Sequence, residues 1–198
     1  MSHSWMTLPD CNFHKETTMQ RELLALHPTD LTRSMEGSLC HEFETDLPAA
    51  DVWQVYGGLR LGQLVPQLLP HVLPKVDHLE GDGGVGTVLL VYFPPGAAGP
   101  RTHKEVFTKI DNENYIKEAT VVEGGFLDLG FKKFMFRLEI IAKEENSSLI
   151  RSSIEYEVND DHKSNASLVS TGALAAIAEV ITKYIKEQKS SKQGADKD

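Results

Sequence analysis

From residue 38 to residue 47 the chain alternates. Leu39, His41, Phe43, Thr45 and Leu47 fall on one side, and Cys40, Glu42, Glu44 and Asp46 on the other. A period of two with one acidic face predicts a half-buried strand. The period then changes. Pro48 opens a short helix over 49–56 with Val52, Trp53 and Tyr56 as its apolar stripe, and Gly57 and Gly58 stop it. A second short helix is predicted over 59–69, carrying Leu59, Leu61, Leu64, Val65 and Leu68; Pro66 makes it irregular and Pro70 closes it. From Val72 the reading is β again, with strands over 72–80, 87–93, 102–111, 115–122, 133–143 and 148–158. Their separators are rich in Gly, Pro, Asn and Asp, so the links are turns and the strands form an antiparallel meander. A last change of period, with Leu174, Ile177, Ile181 and Ile185 at steps of three and four, predicts one long helix over 165–189.

A single helix cannot cover a flat sheet of seven strands. The expected fold is therefore α+β: a seven-stranded antiparallel sheet, strongly curved, wrapped around the long C-terminal helix. The first half of that helix, Gly172-Ala173-Leu174-Ala175-Ala176-Ile177-Ala178, is unusually small in volume. Interiors are normally close-packed. Either the sheet approaches closely here, or a hollow lies beneath the helix.

Composition narrows the function. In 198 residues, 40% are hydrophobic, enough for one sizeable core. A formal net charge of −9 argues against nucleic acid and against an anionic membrane surface as partners. With two cysteines, Cys11 and Cys40, no disulfide framework is expected, which fits a reducing compartment and a cytoplasmic location. No apolar run reads as long enough to span a bilayer. Residues 1–34 lack the basic start and apolar h-region of a signal peptide and read as a disordered extension. Residues 190–198 read as a polar disordered tail. The folded domain is expected over 35–189.

The glycine run at 81–86 matches G-x-G-x-x-G, but the β-branched and aromatic stretch after it predicts a strand where a dinucleotide site needs a helix. It reads as a hairpin turn with positive φ angles. The eight histidines show no zinc-ligand spacing, and no metal or cofactor is expected. The middle strands are more informative. Alternation puts His103, Glu105, Phe107 and Lys109 on one face of the fourth strand, and Tyr115, Lys117, Ala119 and Val121 on one face of the fifth. A three-residue loop at 112–114 sets Glu105 opposite Val121 and brings Lys117 to the Glu105 face; a two-residue loop turns Lys117 away. Inside a cavity, burial and proximity shift the titration of such a pair. Outside, the two are an ordinary exposed charge pattern.

Several stretches together resemble the plant Bet v 1 superfamily, the pathogenesis-related class 10 proteins, and within it the norcoclaurine synthase branch. They are residues 80–87 (EGDGGVGT), Lys104-Glu105-x-Phe107, residues 122–130 (VEGGFLDLG) and Ser152-Ser153-x-Glu155-Tyr156. The resemblance implies a curved seven-stranded sheet around a long helix, two short helices forming a V, and a ligand cavity between sheet and helix. It also implies condensation of a phenethylamine with an aldehyde through an imine, a lyase-type reaction of plant alkaloid biosynthesis. By that resemblance Lys117 polarises the carbonyl and protonates the leaving hydroxyl, and Glu105 is the base that assists cyclisation or rearomatisation. His103 stands where the branch has a tyrosine and Phe136 where it has an aspartate. Residues 36–39, 52–56, 59–61 and 103–105 look like the norbelladine synthases of the amaryllis group, which join tyramine to a dihydroxybenzaldehyde; their cavity tyrosine is Thr102 here. The candidate catalytic residues are Lys117, Glu105 and His103. Thr102, Phe107, Tyr115, Phe136, Leu174 and Ile177 are expected to line the cavity. Ring closure is expected to be weak or absent, because Phe136 cannot act as a base. The other reading is a carrier or receptor of small hydrophobic ligands, related to defence or to abscisic acid-like hormone binding. The expected partners are a small amine and aldehyde or a hydrophobic ligand, and the chain is expected to be a monomer or homodimer.

Overall fold

The alternating stretches become seven strands of one antiparallel sheet. The structure is a computed structural model describing residues 33–96 and 100–195. In chain order the elements are β1 (Ser34–Thr45), α1 (Ala49–Tyr56), α2 (Arg60–Leu68), β2 (Lys75–Glu80), β3 (Val88–Tyr92), β4 (Thr102–Asp111), β5 (Ile116–Gly124), β6 (Phe131–Glu144), β7 (Ser147–Asn159) and α3 (Gly172–Ala195). The strand order is β1-β7-β6-β5-β4-β3-β2. Strands β2 to β7 form the expected meander, and β1 joins through β7, with Leu39 opposite Ile154 and Phe43 opposite Ile150. The expected α+β fold, a curved sheet around a C-terminal helix with two short helices, is the one observed.

Several boundaries move, each for a local reason. The disordered extension expected over 1–34 lies outside the described residues apart from Arg33 and Ser34, and Ser34 already pairs with Asn159 as the first residue of β1. The long helix starts at Gly172, not at 165. Asp160–Leu168 is a 3-10 segment, held by Asn165 Nδ2 donating to the Leu129 carbonyl, and Val169 is extended. At the other end the helix runs past Lys189 to Ala195, so the tail expected from residue 190 is helical that far. Ser190 and Ser191 turn their hydroxyls back onto the carbonyls of Lys186 and Glu187. Lys186 pairs with Asp46, and Lys189 with Asp51 in the first turn of α1. Residues 160–191, which include α3 as far as Ser191, are long and apolar enough by composition to cross a bilayer, contrary to the sequence expectation. In this fold the apolar stripe has another partner. Ile177, Ala178, Ile181 and Ile185 are buried with Val52, Tyr56, Leu138 and Ile150.

The core forms three clusters rather than one. The first joins α1, α2 and the C-terminal part of α3 to the middle of β6 and β7. The second gathers Phe131, Phe134, Ile154, Val158 and Val169. The third holds Leu89, Val91, Phe107 and Ala119. The space between them is not filled. Both alternatives for the small-residue half of α3 occur: Ala178 is fully buried in close packing, whereas Ala173, Leu174 and Ile177 overlie a cavity.

Candidate functional site: a cavity with one amine and one carboxylate

The cavity has a volume of about 390 Å³, within the range of small-molecule sites. Its wall is overwhelmingly apolar, with residues from α2, β3, β5, β6, β7 and α3. Among the described residues, His103, Glu105 and Lys117 are the titratable side chains that reach it. Phe136, Leu174 and Ile177 line it, as expected from sequence.

Register explains how Glu105 and Lys117 meet one cavity. The β4–β5 turn is longer than the three residues considered, because Asp111 pairs with Ile116. A bulge between Phe107 and Lys109 then shifts the register back, and Glu105 stands opposite Val121 as the shorter loop required. The bulge also reverses the alternation beyond Thr108. Lys109 leaves the inner face and Ile110, opposite Lys117, takes its place.

The charges on the outer face of the sheet pair across strands. Lys104 lies 2.6 Å from Glu123, Lys133 lies 3.3 Å from Glu155, and Arg137 pairs with Glu118. These are the ordinary exposed pattern. Lys117 is not part of it, being only 4% exposed. Its Nζ donates to the Gly58 carbonyl at 2.8 Å and sits 3.7 Å from the centroid of the Phe107 ring. Burial pulls its pKa down to about 8, and the Glu105 charge opposes that shift in part.

Glu105 is fixed by His103, whose Nε2 lies 3.1 Å from Oε2. A carboxylate accepts there, so Nε2 donates. Nδ1 is buried, with no hydrogen-bond partner among the described residues. The imidazole is wedged between Phe93, edge-on at 5.2 Å, and Phe136 at 6.0 Å. The chain leaves room for it at one point. Gly125 has φ +63°, and a Cβ there would stand 2.7 Å from His103 Cβ. Gly125→Ala is expected to lower stability by about 1–3 kcal/mol, through left-handed strain and displacement of the imidazole. Urea denaturation measures this, and an unchanged midpoint would show that the glycine is not needed for His103 to seat.

Three expected wall residues are elsewhere. Thr102 precedes the inward His103, so the alternation turns it to the outer face, opposite Tyr92. Phe107 points inward but is 1% exposed and lies under the Lys117 ammonium, supporting it rather than forming wall. Tyr115 belongs to the β4–β5 turn, with φ +55°, and its ring packs on Trp53 at 5.5 Å. Conversely, Phe134 and Phe126 line the cavity as a parallel stack 4.2 Å apart and were not singled out from sequence. Phe134 was available from the period-two run Phe134, Phe136, Leu138. Phe126 sits in a 3-10 segment, Gly125–Leu129, and follows no period. Among the described residues no group of three His, Cys, Asp or Glu side chains is placed to hold a metal ion.

The domain as a whole is similar to known proteins. Norbelladine synthase of Narcissus pseudonarcissus is 50% identical over 157 residues, which is 79% of this chain and 96% of that protein. S-norcoclaurine synthase 2 of Papaver somniferum is 43% identical over 147 residues, 73% of this chain; the match spans 63% of that protein, less than two thirds of its length. Among solved structures, norcoclaurine synthase from Thalictrum flavum in complex with dopamine and hydroxybenzaldehyde superposes with a TM-score of 0.73 at 35% identity, covering 85% of this chain and 98% of that one. The family description "Pathogenesis-related protein Bet v 1 family" matches residues 34–188, the span from the first strand almost to the end of the last helix, and the chain belongs to that family.

Proposed function

We propose that this protein condenses a phenethylamine such as dopamine or tyramine with an aromatic or arylacetic aldehyde, releasing water and forming an imine, a lyase-type activity. The observation that carries this is the pairing of one buried amine, Lys117, with one histidine-held carboxylate, Glu105, in an otherwise apolar cavity. The relatives named norbelladine and norcoclaurine synthase support the same reading. Imine formation gains from such a site in two ways. Holding both reactants together removes a translational cost, and excluding bulk water disfavours the reverse hydrolysis. Lys117 is the group that activates the carbonyl. Glu105 relays protons: one is lost from the attacking nitrogen, and one leaves with the carbinolamine oxygen as water. Phe136, in the cavity wall, cannot act as the base that ring closure needs near the aromatic ring, so the imine is released open.

The test is to mix the full chain with tyramine or dopamine and a panel of aldehydes, then follow imine and cyclised product by chiral chromatography with mass detection. The expected rate is at least about 10³-fold above the spontaneous reaction, with cyclised product at the spontaneous level. A rate equal to the spontaneous one, while an apolar fluorophore still binds in the cavity, would replace catalysis by the carrier reading. That second reading draws on the wall itself, which is apolar apart from a few groups.

A further inference from the structure

We propose that the cavity has a second activity: it enolises arylacetic aldehydes, with Glu105 removing the α-proton while the Lys117 ammonium holds the carbonyl oxygen. This goes beyond condensation and rests on the condensing reading only for the aldehyde as occupant.

A carboxylate can remove an α-proton when the electron pair left on carbon passes to the carbonyl oxygen and meets a positive charge there. Base and cation must therefore be held apart, because the carbonyl carbon and the α-carbon lie between the atoms they serve. Lys117 and Glu105 are placed in that way. They reach one cavity from adjacent strands, at different levels of the β4–β5 ladder: Glu105 is opposite Val121, and Lys117 is opposite Ile110. Phe107 stands on the inner face between those levels, opposite Ala119, with Nζ 3.7 Å from its ring centroid. Each charge has its own anchor. Lys117 donates to the Gly58 carbonyl at 2.8 Å, and Glu105 Oε2 lies 3.1 Å from His103 Nε2. The ion pair that Glu105 makes among the described residues is with His103, not with Lys117. Its charge is still felt at Lys117, so the two are neighbours across the cavity rather than partners. In contact they would neutralise each other and leave no room for a carbonyl. Held apart between apolar walls, they flank the occupant with little screening by water. His103 engages Oε2, so Oε1 is the oxygen left to meet the α C–H.

The step balances. The α C–H bond breaks, and its proton goes to Glu105 Oε1. The electron pair becomes the C=C bond, and the C=O π pair moves to oxygen, where the Lys117 N–H stabilises the enolate. Return of a proton from Glu105 to the α-carbon restores the aldehyde, so no oxidant, reductant or co-reactant is consumed. An amine in the cavity attacks the same polarised carbonyl. Enolisation is therefore the outcome when no amine is bound.

In heavy water Glu105 exchanges its proton with solvent, so each turnover places deuterium on the α-carbon. The full chain is incubated there with phenylacetaldehyde and no amine, and loss of the α-proton signal is followed by NMR. Lys117→Met, which keeps the exposed lysines, sets the baseline for exchange through imines on surface amines. Wild type is expected to exchange at least about 10²-fold faster than that baseline. Glu105→Gln is expected to fall to the baseline, and Glu123→Gln, altered on the outer face, to keep the wild-type rate. Condensation of the same aldehyde with tyramine is assayed in parallel. Wild-type exchange at the baseline, with condensation still catalysed, would overturn the proposal and leave the condensing reading standing. Exchange undiminished in Glu105→Gln would assign the base to another group and overturn it as well. Exchange without condensation would end the condensing reading alone, and loss of both would end both.

Discussion

Lys117→Met is expected to cut amine–aldehyde condensation by about 100-fold or more, toward the spontaneous rate, and at the same time to make the protein more stable at neutral pH. The two effects have one origin. The lysine pKa is about 8 in the folded chain against an ordinary value of 10.5. Below pH 8 both the folded and unfolded chains carry the charge, and the folded one bears the full burial penalty, about 3 kcal/mol for a shift of that size. Between pH 8 and 10.5 the unfolded chain binds more protons than the folded one, so unfolding free energy rises with pH and the penalty is relieved. Methionine keeps the packing against Phe107 and carries no charge. It loses the bond to the Gly58 carbonyl, which takes back about 1 kcal/mol. The net gain expected at pH 7 is about 1–3 kcal/mol, fading by pH 10.5 as the wild type catches up. Urea denaturation of both proteins at pH 7 and pH 10.5, beside the condensation assay, measures the pair of effects. Equal pH dependence in the two proteins would mean that Lys117 is not a buried charge. A fully active Lys117→Met would remove it from the chemistry.

That penalty marks where sequence and structure diverge in what they reveal. The period-two alternation of β4 gave its bounds to the residue, and α1 likewise, because in both cases a turn or a proline sits at the edge of a clean pattern. The same alternation could place Lys117 on a face but not say whether that face was wet. Burial comes from the closure of a curved sheet over α3, which is a property of contacts distant in sequence. The route from β4 to β5 shows the limit clearly. A longer turn and a bulge at Thr108 each displace the register by one residue, and their effects cancel at Glu105. No local residue preference signals that bulge. Glu105 therefore stands opposite Val121 as the three-residue alternative had it, although the turn is longer, while Tyr115, in the turn, and Lys109, between turn and bulge, have other surroundings than the alternation assigned. The hollow under α3 was half visible in its small residues, since Ala173 faces the cavity and Ala178 faces tight packing, and only the three-cluster core decides which does which. The chemical roles came from resemblance. The carboxylate–imidazole contact did not: residues two apart on one strand share a face, and the structure adds that they touch.

Glu105→Gln is expected to lower the condensation rate by about 10²–10³-fold with the fold intact. Glutamine preserves the geometry, because its carbonyl oxygen still accepts from His103 Nε2. It cannot take up or release a proton at neutral pH, so the relay from attacking nitrogen to leaving water stops. A second consequence separates this from a loss of packing. The Glu105 charge is what holds the Lys117 pKa up against burial. Without it that pKa falls further below about 8, so the neutral amine persists to lower pH. Reductive labelling of Lys117 by an aldehyde with cyanoborohydride, which reports its neutral fraction, is then expected to shift to lower pH in Glu105→Gln, even as turnover collapses. Glu123→Gln is the matched control, since that carboxylate is exposed on the same sheet and pairs with Lys104 on the outer face. It is expected to leave the rate and the labelling profile unchanged. If Glu105→Gln and Glu123→Gln behaved alike, Glu105 would be a structural partner of His103 and the proton relay would have to be assigned to another group. If turnover fell but the labelling profile stayed in place, the two charges would not sense each other across the cavity, and Lys117 and Glu105 would not act as a pair.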